Sequence, residues 1–140
     1  MLYTSYLAQL DKLPDDIGKL VITRYPPGWV NFDETLDENE NGTCLAKPLS
    51  PGENILNDYK QDGDWSRYVR RFKKQMETWR PTVRYIEALV SYMDRDNDII
   101  LLCFEKDYKR CHRSLVAQKV EELVEKDIWS TDYEVLEGRI

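Results

Sequence analysis

Six consecutive residues, Ile99, Ile100, Leu101, Leu102, Cys103 and Phe104, carry no charged side chain, and this run restricts most strongly what the chain can fold into. A strand with one wet face alternates apolar and polar positions, whereas a strand apolar throughout needs cover on both faces. The run therefore predicts the central strand of a layered α/β domain. It is the longest apolar run in the chain and falls far short of the roughly 18 residues of a membrane-crossing helix, so no membrane partner is expected.

The neighbouring segments can supply that cover. Trp65, Tyr68, Val69, Phe72, Met76 and Trp79 fall on one helical face over residues 65–79, and Arg67, Arg70, Arg71, Lys73 and Lys74 occupy the other. Pro81 opens a second helix carrying Val83, Ile86, Leu89, Val90 and Met93 on one side, ended by the polar stretch 94–98. A third long helix is predicted from about Tyr108 to Lys126, with Asp107 as its N-cap. Upstream, residues 1–4 predict a short strand, 5–13 a short helix stopped by Pro14, and Lys19 to Arg24 a buried strand closed by Pro26-Pro27-Gly28. Residues 54–59 predict a short helix and 133–136 a last short strand. Residues 31–46 hold five acids, three asparagines and no base, the composition of a long, poorly ordered surface loop. Strands separated by helices predict one three-layer, Rossmann-like α/β domain over residues 1–140, with a mainly parallel sheet.

Composition narrows the function classes. With 140 residues, 41% hydrophobic and 33% charged, the chain can bury one core. A net charge of −6 argues against wrapping duplex nucleic acid with the whole surface, but leaves the stripe Arg67, Arg70, Arg71, Lys73 and Lys74 as a local contact for nucleic-acid phosphates. Such a stripe is more often a solvated face, and this one lacks the interleaved aromatics that a single-strand binder uses for stacking. The N-terminal segment has no basic region or small-residue cleavage site, so a cytoplasmic location is expected. An odd set of three cysteines, Cys44, Cys103 and Cys111, predicts free thiols in a reducing compartment.

Chemistry concentrates at two strand ends. Ligands of open parallel sheets bind beyond the carboxyl ends of the strands, and here those ends read Thr23-Arg24-Tyr25 and Cys103-Phe104-Glu105-Lys106, followed by Arg110-Cys111-His112-Arg113. Arg24, Arg110 and Arg113 beside a helix N-terminus predict a site for a phosphate or carboxylate. Cys111, flanked by cations at a helix start, suits a reactive thiolate. A helix begun at Tyr108, however, turns it nearly opposite to His112 and Arg113. His112 is either a hydrogen-bonded core residue or a general base. Arg113, if buried, must find an anion in Glu105 or in a ligand. Cys103 stands where cysteine phosphatases keep their nucleophile, but a Cys-x5-Arg loop would need arginine at position 109, which is Lys109. Cys103, Glu105, Cys111 and His112 suit zinc by ligand type. Adjacent residues of a helix point about 100° apart, so no metal site is expected, and no cofactor either.

The strings Tyr3-Thr4-Ser5-Tyr6, Ile22-Thr23-Arg24-Tyr25-Pro26-Pro27, Leu45 to Pro51, and above all Leu101 to Asp107 with Cys111-His112-Arg113 resemble the bacterial and phage family called domain of unknown function 488, from residue 3 to about 123. Tyr108 stands where a proline commonly follows the aspartate in that family. The resemblance implies an α/β fold and supplies no reaction.

Together these features predict a pocket lined by Ser5, Arg24, Tyr25, Cys103, Glu105, His112 and Arg113, with Lys106 as a further ligand contact. The leading expectation is binding or processing of a nucleotide or nucleic acid. Arg24 and Arg113 would hold phosphate, and Glu105, with His112, would move a proton. Cys103 and Cys111 stand as further catalytic candidates. The alternatives are a non-enzymatic interaction module with a structural Arg/Glu/His network, and thiol redox through Cys103 and Cys111.

Overall fold

A computed structural model describes residues 1–37, 41–105, 110–124 and 129–130. Its sheet has five strands: β1 (Leu2–Tyr6), β2 (Gly18–Val21), β3 (Thr43–Leu45), β4 (Ile99–Cys103) and β5 (Trp129–Ser130). They lie in the order β3-β2-β4-β1-β5, and every pairing is parallel. The apolar run is thus the middle strand, with Ile99 opposite both Leu2 of β1 and Gly18 of β2. All five of its residues are buried.

The side chains of β4 part alternately to two cores. Ile99, Leu101 and Cys103 join Leu2 and Leu20 in the larger core, packed against α1 (Glu53–Asp62), α2 (Trp65–Thr78), α3 (Arg80–Asp94) and α4 (His112–Val124). Ile100, Leu102 and Val21 join Leu7, Leu13 and Val30 in the smaller one. Strand order explains why all four helices share one face. From β1 to β2 to β3 the chain steps toward one edge, and from β3 to β4 to β5 it steps back. Right-handed crossovers running in opposite directions lie on opposite faces. The third layer is therefore thin: a 3-10 segment at Leu7–Lys12 and the loop carrying Val30 and Phe32. Sequence periodicity predicts an α-helix over 5–13, but only a 3-10 segment forms there.

Local signals set the helix boundaries. Gly63, at φ 66°, ends α1 in the left-handed conformation that costs glycine least. The Asp64 carboxylate then caps α2 by accepting from the Arg67 amide at 3.1 Å. Gln75, buried within α2, accepts from the Gly52 amide at 2.8 Å and donates to the Ser50 carbonyl at 2.9 Å and the Thr82 hydroxyl at 3.1 Å. One side chain thereby ties the 50–52 turn to two helices.

The acidic segment differs most from expectation. It contains the edge strand β3, and two of its acids serve the backbone: Asp33 accepts from the Thr43 amide at 3.0 Å, and Asp37 from the Asn41 amide at 2.9 Å, while residues 38–40 lie outside the described residues. Short polar side chains that accept from main-chain donors tie together positions whose composition otherwise reads as loop. The strand predicted over 19–24 ends at Val21, although the Ile22 amide still donates to Leu102 at 2.9 Å. Trp79 is 48% exposed at the end of α2, off the core face. The fourth helix starts at His112. Asp107 and Tyr108, proposed as its cap and start, and the strand predicted at 133–136 lie outside the described residues.

Candidate functional site

Because β2 and β4 are parallel neighbours, the segments after them leave the sheet side by side. Thr23, Arg24 and Tyr25 follow one, and Phe104 and Glu105 the other. Between them and the packed pair α1 and α2 lies a cavity of about 160 Å³. Pro51, held by the Gln75-tethered turn, and Leu56 of α1 complete its apolar wall.

Among the described residues two cations stand at this cavity, Arg24 and Lys60. The Arg24 guanidinium carbon lies 5.7 Å and the Lys60 Nζ 5.9 Å from the centre of the Tyr25 ring, within cation–π range. Among the described residues neither forms an ion pair with a carboxylate. Arg24 donates from Nη1 to the Pro51 carbonyl at 3.4 Å, while its Nε and the Thr23 hydroxyl are buried with no hydrogen-bond partner among the described residues. Tyr25 and Phe104 are each 50% exposed and leave aromatic surface at the mouth. Tyr68 contributes a phenol whose pKa is raised above 10.0 by burial and by the charge of Glu105, so it keeps its proton and is available as a hydrogen-bond donor.

His112 forms part of the cavity floor and is buried. Its Nε2 lies 2.6 Å from the Ile22 carbonyl oxygen. A carbonyl only accepts, so Nε2 carries the proton and Nδ1 keeps its lone pair. Nδ1 is 3.8 Å from the Cys111 sulfur, and the Phe72 ring meets the imidazole edge-on at 5.6 Å. Burial pushes the His112 pKa down to about 4, with the Arg113 charge adding to the effect against the opposing Ile22 hydrogen bond. At neutral pH the ring is uncharged.

Arg113 is 0% exposed and does not reach the cavity. Its Nη1 donates to the main-chain oxygen of Glu105 and to the Cys103 sulfur, the latter at 3.2 Å. The expected convergence of Arg24 and Arg113 on one phosphate therefore does not occur. Helical side chains lean toward the N-terminus, so a guanidinium in the first turn of α4 folds back onto the chain leaving β4. The Glu105 carboxylate instead lies 3.3 Å from the Cys111 sulfur.

Cys103 and Cys111 are joined by a disulfide, which overturns the free-thiol expectation for this pair. The helical wheel drawn from Tyr108 fails because α4 begins one residue after Cys111. Residue 111 sits in a bend and turns inward, 2% exposed. Cys44 is a free, buried cysteine. Ser5 is buried opposite Leu102, which places it on the sheet face away from the helices and away from the cavity. Lys106 lies outside the described residues. The sequence does not mark Lys60 or Tyr68 as a site residue. Tyr68 sits in the periodic apolar face of α2 and reads as core, and nothing near Lys60 in sequence marks it.

The basic stripe is partly neutralised. Arg67 pairs with Asp62 and Arg71 with Asp58, each at 2.6 Å. Arg70, Lys73 and Lys74 are exposed, with no carboxylate partner among the described residues. No helix of the described residues is long and apolar enough to cross a membrane.

Compared with known proteins, residues 2–123 match a family model, DUF488-N3a, described as the active DUF488-N3 subclade. No curated protein and no solved structure matches the chain.

Proposed function

The chain belongs to the DUF488-N3a family, and from that premise we propose that its cavity binds a small phosphate-bearing ligand, foremost a nucleotide, with Glu105 as the proton-transferring group. The observation that carries this is the pair Arg24 and Lys60, both within 6 Å of the Tyr25 ring and neither neutralised by a carboxylate among the described residues. Unpaired cations at one concave site attract an anion. The partly exposed rings of Tyr25 and Phe104 offer a base a stacking surface outside the cavity. At about 160 Å³ the cavity suits a phosphate and sugar, while a base would lie across its mouth.

Position supports the same proposal. The cavity lies beyond the carboxyl ends of β2 and β4, where strand order reverses, the place that ligands occupy in Rossmann-like sheets. Glu105 is exposed and lines the cavity together with the Tyr68 phenol, so a carboxylate able to take up a proton and a hydroxyl able to donate a hydrogen bond would flank the ligand. His112 is committed to Ile22 through its only N–H and serves here as a wall and not a proton shuttle. We infer a cytoplasmic location, as the compartment in which such a ligand would be met. The thiol-redox alternative gains from the Cys103–Cys111 bond, but it gives no role to Arg24 and Lys60 at the cavity. The interaction-module alternative rests on Arg113 holding the chain after β4.

Calorimetric titration with nucleoside monophosphates, nucleoside diphosphates and inorganic phosphate tests the proposal. Saturable binding that Arg24→Ala and Lys60→Ala both weaken is expected. A folded wild type that takes up none of these at millimolar concentration would overturn it.

A further inference from the structure

Three donor groups, two sulfurs and one ring nitrogen, meet under the cavity floor. The sulfurs of Cys103 and Cys111 and a ring nitrogen of His112 all lie within 4.8 Å of one another, and all three residues are buried. We propose that, once the Cys103–Cys111 bond is reduced, Cys103, Cys111 and His112 hold one Zn²⁺ ion with Glu105 as the fourth ligand.

The histidine is prepared for this role by its hydrogen bond. Its proton is on Nε2, donated to the Ile22 carbonyl, so the lone pair of Nδ1 faces the Cys111 sulfur. A metal-bound imidazole characteristically hands its other N–H to a carbonyl or carboxylate, which fixes tautomer and ring orientation. Glu105 Oε2 is already 3.3 Å from the Cys111 sulfur. Ligand atoms around tetrahedral zinc, with bonds of about 2.0 to 2.3 Å, sit about 3.5 Å apart. Cys111 and His112 are sequence neighbours, but only His112 belongs to α4, so the 100° spacing of helical residues does not separate them.

Charge and softness agree with the assignment. Two thiolates and one carboxylate around Zn²⁺ leave one negative charge, and the Arg113 guanidinium, 3.2 Å from the Cys103 sulfur, offsets it. A neutral cluster is one that a buried site can hold. Two thiolates and an imidazole select zinc over magnesium or calcium. The disulfide and the zinc site are alternative states of the same sulfurs. An external dithiol supplies two electrons and two protons, splitting the S–S bond into two thiols and becoming a disulfide itself. Zn²⁺ then displaces both thiol protons to solvent. Glu105 and His112 also line the cavity, so a ligand oxygen entering there can replace Glu105 on the metal.

The experiment takes full-length protein, reduced with a dithiol and stripped of metal, and titrates it with Zn²⁺ and with Co²⁺ as a spectroscopic probe. One equivalent is expected to bind, with a thiolate-to-cobalt charge-transfer band, tetrahedral d–d absorption and a higher melting temperature. Cys111→Ser and His112→Gln should each lose at least about tenfold in affinity. Glu105→Gln, at an exposed position, keeps the fold and should weaken binding and shift the cobalt spectrum. Reduced, folded wild type that binds no zinc stoichiometrically, or cobalt without a sulfur band, overturns the proposal. So does a folded Cys111→Ser or Glu105→Gln that binds as wild type does. Arg24→Ala should bind zinc normally, so failure of the nucleotide proposal and failure of this one are separately visible.

Discussion

The guanidinium of Arg113 bonds the main-chain oxygen of Glu105, and the Glu105 carboxylate is left to face Cys111. One arginine thereby fixes the path of the chain leaving β4 without using up the acid that the same residue carries. The described charged groups at this end of the sheet divide between two places: Arg113 lies buried behind the cavity, while Arg24, Lys60 and Glu105 line it.

That division predicts opposite outcomes for two arginines. Arg113→Ala removes a fully buried side chain and leaves a carbonyl unsatisfied, so it should cost about 3 kcal/mol or more of stability in urea denaturation. Arg113→Lys keeps the charge, loses the planar fork and should recover only part of that loss.

Arg24→Ala and Lys60→Ala should leave the urea midpoint nearly unchanged, within about 1 kcal/mol. Each should weaken nucleoside monophosphate binding by about tenfold or more in calorimetry, as expected for loss of a charge-assisted phosphate contact. A fall in stability with unchanged affinity would make Arg24 and Lys60 structural.

His112 predicts a pH dependence. Its pKa is pushed down to about 4 in the folded protein, from about 6.5 in the unfolded chain. Between these values the unfolded chain binds the extra proton and the native state does not. This contribution to stability is complete above pH 6.5 and is lost as pH falls toward 4, by up to a few kcal/mol. Melting curves of metal-free wild type and His112→Gln across this range should converge as pH drops; parallel curves would show that the histidine carries none of the slope.

Protein purified without reductant and then denatured should present one titratable thiol, Cys44, and three after reduction. Three thiols before reduction would show that Cys103 and Cys111 are not joined in the isolated protein.

Much of the fold was legible because it rests on local chemistry. The run at 99–104 requires two covered faces wherever it lies, and the spacing of Tyr68, Phe72 and Met76 makes a helical stripe whatever it packs against. The same local signals misled where short polar groups were involved. Asp33 and Asp37 look like solvated loop until Thr43 and Asn41 are seen to donate to them.

The sequence by itself determined the central strand, the parallel α/β layering and the two chemically loaded strand ends. Only tertiary structure decided which of those residues meet. Arg24 and Lys60 are 36 positions apart and share a ring because α1 and the segment that follows β2 border the same cavity. Cys111 turns inward because α4 starts one residue later than a continuous wheel assumes. Periodicity reports which face of an element is apolar, but a side chain at an element's end is aimed by where that element starts and stops. At a helix start, displacing the boundary by a single residue swings a side chain through about 100°.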